Sequence, residues 1–133
     1  MMKKLLLILL CLPMIILFGC DSKKEKAKKY RIDGYNSSGR KAIDAYSKCI
    51  EFDPKCDLCY YNRGNEYLFL KYYRFAIEDF TKAIEINPNN WDAYSNRGVA
   101  RGWIEGSNSA GCDDYATACY KGFDCRNYDL HCK

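Results

Sequence analysis

The apolar residues between Tyr60 and Pro88 recur at helical spacing. The later part of this stretch contains Ala76, Phe80, Ala83 and Ile84. Their intervals of four, three and one place them on one face of an α-helix, which Pro88 ends. The earlier part forms a second helical face with Tyr60, Gly64, Tyr67 and Leu68. Two antiparallel helices approach closely where small residues meet, so we predict a helical hairpin with contacts at Gly64 and Ala76.

The same pattern occurs more than once along the chain, at a constant offset. The segment AIDAYSKCIEFDP at 42–54 aligns with AIEDFTKAIEINP at 76–88, and the triplet NRG occurs at both 62–64 and 96–98. A third unit begins at Trp91, and its second helix aligns if one residue is inserted near GSNSAG. Tyr115 and Ala118 then occupy the aromatic and alanine positions of that helix. Chance recurrence is excluded.

The unit from Asp57 to Asn90 resembles the tetratricopeptide repeat. The resemblance rests on the 34-residue period and on YxxRGxxY followed by AxxxFxxA and a proline, at 60–88. It implies an all-α fold, a short solenoid of about two to three helical hairpins over residues 40–121. In the first unit only the second helix, Arg40 to Phe52, is clear, and its partner would have to come from the lysine-rich segment before it.

The resemblance also implies a concave face, lined by the first helix of each unit, that binds an extended peptide or a partner helix. The groove candidates by spacing are Tyr61, Asn65, Leu68, Phe69, Ser95 and Val99, together with Gly102. An alternative for Leu68 and Phe69 is that the first half-unit simply covers them.

Arginine stands at 63 and 97, where the repeat usually has an apolar residue. Asp79 is at i + 16 relative to Arg63, and Asp113 and Asp114 are at i + 16 and i + 17 relative to Arg97. The second helix of each hairpin passes the first at that interval. We therefore predict structural ion pairs between Arg63 and Asp79, and between Arg97 and one of the two later aspartates, rather than ligand contacts.

The N-terminus carries an apolar run from Leu5 to Phe18. The run is shorter than the roughly 20 residues that a membrane-spanning helix needs, so residues 1–19 are predicted to be a signal peptide. The sequence Leu17-Phe18-Gly19-Cys20 resembles the lipobox of bacterial lipoproteins, which implies lipidation of Cys20. The expected location is the bacterial cell envelope, with a membrane-anchored lipoprotein whose folded part lies outside the cytoplasm. The choice between inner and outer membrane stays open.

Residues 20–39 are rich in lysine and poor in apolar side chains. We expect a lipidated basic tether, in which a degenerate first helix could form. Its charges could meet an anionic membrane surface or simply keep a spacer solvated. The net charge of +4 comes from the N-terminal part, since 13 basic residues face 15 acidic ones from Ile32 onward. No basic stripe follows, so we predict no nucleic-acid partner.

Nine cysteines are present, of which Cys11 would leave with the signal peptide. Four of the remaining residues form two pairs at a seven-residue spacing, which puts each pair on one helix face. If the two helices fold back on each other, the natural bridges are Cys119 to Cys125 and Cys112 to Cys132. The predicted result is a disulfide-stapled capping helix at 122–133.

The CxxC motif formed by Cys56 and Cys59 has several interpretations. We favour a structural disulfide, either within the motif or with another cysteine, and keep a redox couple as the alternative. A zinc site is disfavoured because His131 is the only histidine and lies far along the chain. Cys49 occupies the place of an alanine in the repeat and is expected to be a buried, unpaired thiol.

Residue types for catalysis are scarce. With one histidine, no glycine-rich phosphate loop and no nucleophile beside a base, we expect no enzyme, no cofactor and no metal. The favoured function is a lipid-anchored interaction or scaffold module for another protein or peptide. The alternatives are a thiol–disulfide protein of the envelope that uses Cys56 and Cys59, and a purely structural assembly subunit.

Overall fold

The computed structural model describes residues 22–105 and 110–122, which form six α-helices and contain no strand. The helices are α1 (22–35), α2 (Arg40–Phe52), α3 (Asp57–Phe69), α4 (Tyr73–Ile86), α5 (Trp91–Glu105) and α6 (Ala110–Tyr120). The all-α prediction is confirmed.

Each helix packs mainly against its neighbours in sequence. Helices α3 and α4 form one hairpin, α5 and α6 form another, and α2 and α4 pack on the helices that follow them. Contacts between α3 and α5 bring together the first helices of adjacent hairpins. This arrangement is a linear stack of hairpins, as in a solenoid.

A glycine on the first helix of each hairpin faces an aromatic ring on the second. Gly34 faces Tyr46, Gly64 faces Phe80, and Gly98 faces Tyr115. A Cβ atom at Gly64 would lie 2.8 Å from Cε1 of Phe80, and one at Gly34 would lie 2.6 Å from Cε1 of Tyr46. The first hairpin, α1–α2, is thus built like the other two.

Helix α1 takes the place of the degenerate first helix that residues 20–39 could form, and it is packed on α2. Ala27 is buried, and the ring of Tyr30 stacks on Phe52 with centroids 5.6 Å apart. The ammonium groups of Lys26 and Lys48 lie over these two rings, each 5.4 Å from a centroid. The lysine side chains therefore pack on aromatic rings of α1 and α2. This packing allows a segment with few apolar residues to form a packed helix.

The core lies between α3, α4 and α5, and it consists mostly of alanine around one phenylalanine. Its buried members are Ala76, Phe80, Ala83, Ile84, Ala93 and Ala100. A smaller cluster of Ala27, Cys49 and Cys59 lies between α1, α2 and α3. Small residues in these positions let the helices approach closely.

Three predicted features lie wholly or partly outside the described residues. These are the signal peptide at 1–19, the lipidation site Cys20, and the capping helix at 122–133, of which only Gly122 is described. Among the described residues, no helix has the length and hydropathy needed to cross a bilayer.

Candidate functional site

A hydrogen bond between two asparagines joins the first helices of adjacent hairpins. The Nδ2 group of Asn96 donates to Oδ1 of Asn65 over 2.8 Å. One turn further along each helix lie Phe69 on α3 and Val99 on α5, on the same faces as the asparagines. We call Tyr61, Asn65, Phe69, Asn96 and Val99 the asparagine surface. Four of these residues were predicted from their spacing, whereas Asn96 was not, although it belongs to the second NRG triplet.

The predicted groove residues differ in exposure. Phe69 is 80% exposed, so it is not covered by the first hairpin. Tyr61 and Leu68 are half-buried and pack against the core, and the ring centroids of Tyr61 and Phe80 lie 6.0 Å apart. Val99 and Gly102 are also half-buried. Tyr61 and Leu68 therefore contribute part of their surface to the fold and part to solvent.

Ser95 is not a groove residue, and its prediction was wrong. It is 4% exposed and hydrogen-bonds to the side chain of Tyr115. Its position on α5 agrees with the helical spacing, but Tyr115 of the neighbouring helix α6 forms a hydrogen bond with it. A side chain that is buried in this way offers nothing to a partner.

The predicted arginine and aspartate partners lie together. Arg63 donates from Nε and Nη2 to the two carboxylate oxygens of Asp79, both over 2.8 Å. Arg97 makes the same two-pronged contact with Asp114, over 2.9 and 2.6 Å. Asp113, the other candidate, is exposed. We call each of these pairs an arginine clasp.

Each arginine also reaches the preceding hairpin, which the sequence analysis missed. Nη1 of Arg63 donates to the hydroxyl of Ser47 over 2.9 Å, and Nη1 of Arg97 donates to that of Thr81 over 3.1 Å. Ser47 and Thr81 occupy equivalent positions of successive repeats. The recurrence of a hydroxyl residue at this position could have predicted the contact with arginine. Because each clasp contacts three helices, it fixes both its own hairpin and the junction before it.

Burial and pairing act in opposite directions on the first clasp. Burial raises the pKa of the Asp79 carboxyl, although the hydrogen bond and charge of Arg63 oppose this effect. Burial lowers the pKa of Arg63, but the hydrogen bond and charge of Asp79 together raise it above its ordinary value. The raised pKa of Asp79 disfavours the charged pair, because it favours the neutral carboxyl. The raised pKa of Arg63 favours the charged pair, because it favours the protonated guanidinium. The two-pronged geometry fits a carboxylate, so we take both groups as charged at neutral pH.

The cysteines of the first junction agree with the prediction in part, since Cys59 forms a structural disulfide with a cysteine outside the CxxC motif. Cys49 on α2 and Cys59 on α3 form a disulfide, with Cα atoms 6.3 Å apart. Cys49 is therefore not the unpaired thiol, and the bridge within the CxxC motif is absent. Cys56 is the free thiol among the described cysteines. Both bridged residues are fully buried, because α2 and α3 pack directly on each other there.

Cys112 and Cys119 are both disulfide-bonded. Their predicted partners, Cys132 and Cys125, lie outside the described residues. The pairing proposed for the C-terminal cap therefore stays a prediction.

An exposed aromatic patch surrounds the turn between α3 and α4. We call this patch the aromatic edge, and its members are the exposed residues Phe69, Tyr72, Phe75 and Trp103 together with the half-buried Tyr73. Tyr73 stacks on Trp103 with centroids 5.8 Å apart, and Trp103 is 68% exposed. An open pocket of about 260 Å³ lies beside this stack, with Lys71 and Arg74 on its wall. The run YLFLKYYRF at 67–75 was the sequence signal for this patch.

Two family models match the described helices. A tetratricopeptide repeat model matches residues 58–90, and a second model of the same repeat matches residues 80–120. Together they cover α3 to α6 and leave α1 and α2 unmatched, in agreement with the weak sequence signal in the first hairpin.

Curated relatives match part of the chain. Human RNA polymerase II-associated protein 3 is 35% identical over 83 residues, which cover 61% of this chain and 12% of the human protein. Small glutamine-rich tetratricopeptide repeat-containing protein 2 of Saccharomyces cerevisiae is 32% identical over 82 residues, covering 59% and 24%. The chain thus spans a quarter or less of the length of these two relatives.

Solved structures share the fold over most of the chain. The first TPR of Spaghetti (RPAP3), bound to the HSP90 peptide SRMEEVD, has a TM-score of 0.65 at 27% identity and covers 85% of this chain and 86% of that chain. The TPR2AB domain of yeast Sti1 has a TM-score of 0.74 at 24% identity, covering 90% and 51%. The chain therefore contains tetratricopeptide repeats, stacked as an all-α array.

Proposed function

We propose that this protein is a non-enzymatic binding module that takes up an extended peptide segment of a partner protein on its asparagine surface. The observation that carries the proposal is the hydrogen bond between Asn65 and Asn96. Because that bond links the first helices of two hairpins, the side chains one turn along, Phe69 and Val99, extend a single continuous surface. In a tetratricopeptide array this surface is the concave face.

The chemistry of the surface suits a peptide backbone. The asparagine pair uses one carbonyl and one amide group, so the Nδ2 group of Asn65 and Oδ1 of Asn96 are available as one donor and one acceptor. An extended peptide offers the complementary pair at each residue. Phe69, 80% exposed, supplies an apolar contact beside them. The polar groups would set the register, and the ring would add affinity.

Relatives make this use of the fold reasonable. The first TPR of Spaghetti (RPAP3) was solved with the HSP90 peptide SRMEEVD, and the TPR2B domain of yeast Sti1 was solved with a peptide of Hsp70. The peptide SRMEEVD contains three acidic side chains. On the asparagine surface of this chain none of the five residues is basic. We therefore propose a partner segment that is less acidic and carries an apolar side chain.

We further propose that the module is anchored to a membrane of the bacterial cell envelope by lipid on Cys20, with its repeats outside the cytoplasm. The support is the sequence alone: an apolar run from Leu5 to Phe18, a lipobox-like ending at Cys20 and a polar segment after it. An anchored array would hold its partner at the membrane surface.

Binding can be tested by affinity capture from solubilised membranes with the full chain as bait. For any partner recovered, we expect the double substitution Asn65→Ala and Asn96→Ala to weaken binding by about tenfold, the effect of losing one to two hydrogen bonds. Lys41→Ala, on the exposed side of α2, is the control and should bind as the wild type does. Equal recovery by all three proteins would contradict the proposed surface.

Anchoring can be tested separately by metabolic labelling with a palmitate analogue. The wild type should take up the label and sediment with membranes, whereas Cys20→Ser should do neither. Unlabelled wild-type protein in the soluble fraction would refute the anchor and leave the binding proposal intact.

A further inference from the structure

Three cysteine sulfurs meet at the junction between α2 and α3. The thiol of Cys56 donates a hydrogen bond to the sulfur of Cys59 over 3.0 Å, and Cys59 is bridged to Cys49. All three Sγ atoms lie within 4.8 Å of one another. Cys56 is half-buried, whereas the bridged pair is fully buried. A free thiol thus contacts one sulfur of a disulfide, which is the arrangement that thiol–disulfide exchange requires.

We propose that this cluster is a disulfide-exchange site, in which the bridge moves between Cys49–Cys59 and Cys56–Cys59. The Cys56 thiolate attacks Sγ of Cys59 and forms a new S–S bond. The bond from Cys59 to Cys49 breaks, and its electron pair leaves with Sγ of Cys49. Cys49 then takes up a proton equivalent to the one that Cys56 released to solvent. One disulfide and one thiol are present before and after, so no oxidant or reductant is needed.

The backbone around Cys56 permits the second bridge. Cys56 precedes the first residue of α3, and Cys59 lies in the first turn, where its N–H donates to the carbonyl of Cys56 over 3.1 Å. This is the placement of a CxxC motif at a helix N-terminus, which accommodates a local disulfide. The two sulfur atoms are already in contact, 3.0 Å apart.

A purely structural role for Cys56 is poorly supported. In the next hairpin the equivalent residue is Asn90, whose Oδ1 accepts from the N–H of Ala93 and caps α5. Cys56 makes no side-chain cap for α3. The chain thus has a thiol at a position where the repeat elsewhere uses an efficient cap, and the contact of that thiol is with the disulfide.

The exchange changes what the disulfide holds together. The bridge from Cys49 to Cys59 ties the first hairpin to the second. A bridge from Cys56 to Cys59 lies within one turn of α3 and leaves the first hairpin held by non-covalent contacts. These include packing, the hydrogen bond from Arg63 to Ser47, and the hydrogen bond from the N–H of Gly39 to the carboxylate of Glu66. The site therefore acts as a switch between a covalently fixed and a non-covalent junction.

The protonation of Cys56 sets the rate. Burial raises the pKa of its thiol, the nearby carboxylates of Asp53 and Asp57 add to this effect, and the guanidinium of Arg31 on α1 and the N–H of Cys59 oppose it. Since only the thiolate attacks, exchange should be slow at neutral pH. Its rate should rise about tenfold for each unit by which the pH is raised, until the pH reaches the pKa of Cys56.

Tryptic mapping of the full chain distinguishes the two bridges. Cleavage after Lys48, Lys55 and Arg63 puts Cys49 in peptide 49–55 and both other cysteines in peptide 56–63. Protein is incubated at a series of pH values, alkylated without reduction, quenched in acid and digested. We expect label on Cys56 with the two peptides cross-linked, and, increasingly with incubation time and pH, label on Cys49 with peptide 56–63 bridged internally.

Two variants complete the test. Cys56→Asn copies the next hairpin and should keep the peptides cross-linked at every pH. Cys49→Ala leaves Cys56 and Cys59 as the partners of one another and should form the local bridge. Label confined to Cys56 in the wild type at every pH would overturn the proposal, as would two free thiols in oxidised Cys49→Ala. The first of these outcomes needs no variant, so a folding defect would not obscure it.

Discussion

The two junctions between hairpins use the same positions in different ways. At the first junction, Cys49 and Cys59 are joined by a disulfide. The equivalent residues of the next repeat, at the second junction, are Ala83 and Ala93, and both are fully buried without a covalent link. The repeat therefore needs a small side chain at these two sites, and cysteine meets that need while adding a bond.

The difference reflects what surrounds each junction. The second junction is supported by Phe80, Ile84 and Ala100 in the main core. The first is supported by a smaller cluster, to which α1 contributes Ala27. Beside it, Lys26 of α1 and Lys48 of α2 lie over aromatic rings. A small core supplies little stabilisation by itself, so the covalent bond adds to a thin core at the N-terminal end.

The largest effect should come from the arginine clasps, which serve both junctions. The side chains of Arg63 and Arg97 are 19% and 12% exposed. Replacing Asp79 or Asp114 by alanine leaves a largely buried guanidinium without its carboxylate, so we expect a loss of about 3 kcal/mol in the free energy of unfolding. Chemical denaturation measures it. Asp114→Ala should cost more, since Arg101 also donates to that carboxylate over 2.8 Å.

The matched control for the clasps is Asp113→Ala. Asp113 is exposed and next to Asp114, so its loss should change stability by no more than about 0.5 kcal/mol. A double-mutant cycle on Arg63 and Asp79 should give a clear coupling energy, and additive single effects would rule out the clasp.

Exchanging the residues of the two junctions tests the comparison directly. Cys49→Ala with Cys59→Ala copies the second junction and should cost about 2 to 3 kcal/mol, the value for opening a loop of roughly ten residues. Ala83→Cys with Ala93→Cys copies the first junction and should form a second disulfide with a smaller gain. Thermal unfolding and a thiol count measure both. Reduced thiols at 83 and 93 after air oxidation would show that the two junctions differ in backbone spacing.

Replacing a glycine by alanine should have a different effect on stability in each hairpin, and these effects are smaller than those above. A Cβ at Gly98 would lie 2.7 Å from the carbonyl oxygen of Gly111, which cannot rotate away, whereas at Gly64 the obstacle is the ring of Phe80. We expect alanine to cost about 2 kcal/mol or more at 98 and about 1 to 2 kcal/mol at 64. Gly102 has open space, and alanine there should stabilise by up to about 1 kcal/mol. Equal effects in urea denaturation at all three sites would contradict this ranking.

The smallest effect concerns the caps. Cys56→Asn should give α3 the cap that Asn90 gives α5, with a gain of about 1 kcal/mol over Cys56→Ala. Melting temperatures of the two variants measure the difference. If both melt alike, the first turn of α3 does not accept the cap geometry of α5.

Much of the second hairpin could be predicted from the sequence. The repeat period, the glycine at 64 and the interval from Arg63 to Asp79 are all features of one short segment, and helical spacing converts them into contacts. The first hairpin could not be predicted equally well. Its glycine and aromatic residue, Gly34 and Tyr46, are closer in sequence than Gly64 and Phe80, because Gly34 lies next to the end of α1 whereas Gly64 lies well inside α3. The repeat pattern therefore did not align.

The candidate site was predictable only in part. Phe69 and Asn65 were predicted as groove residues from their positions on α3. The same prediction for Ser95 was wrong because Ser95 is buried and hydrogen-bonds to Tyr115 of α6. The aromatic edge combines residues from the α3–α4 turn with Trp103 of α5, and no spacing within one helix indicates that meeting.

The sequence by itself determined the repeat, the direction of each helical face and the residues that an arginine on the first helix could reach. These follow from intervals within a hairpin, where the backbone geometry leaves little choice. The tertiary structure alone decided which sulfur Cys59 bonds and whether a lysine-rich segment folds. Both depend on contacts between elements: α2 brings Cys49 within bonding distance of Cys59 while Cys56 stays beside them, and α2 supplies the ring on which Tyr30 stacks.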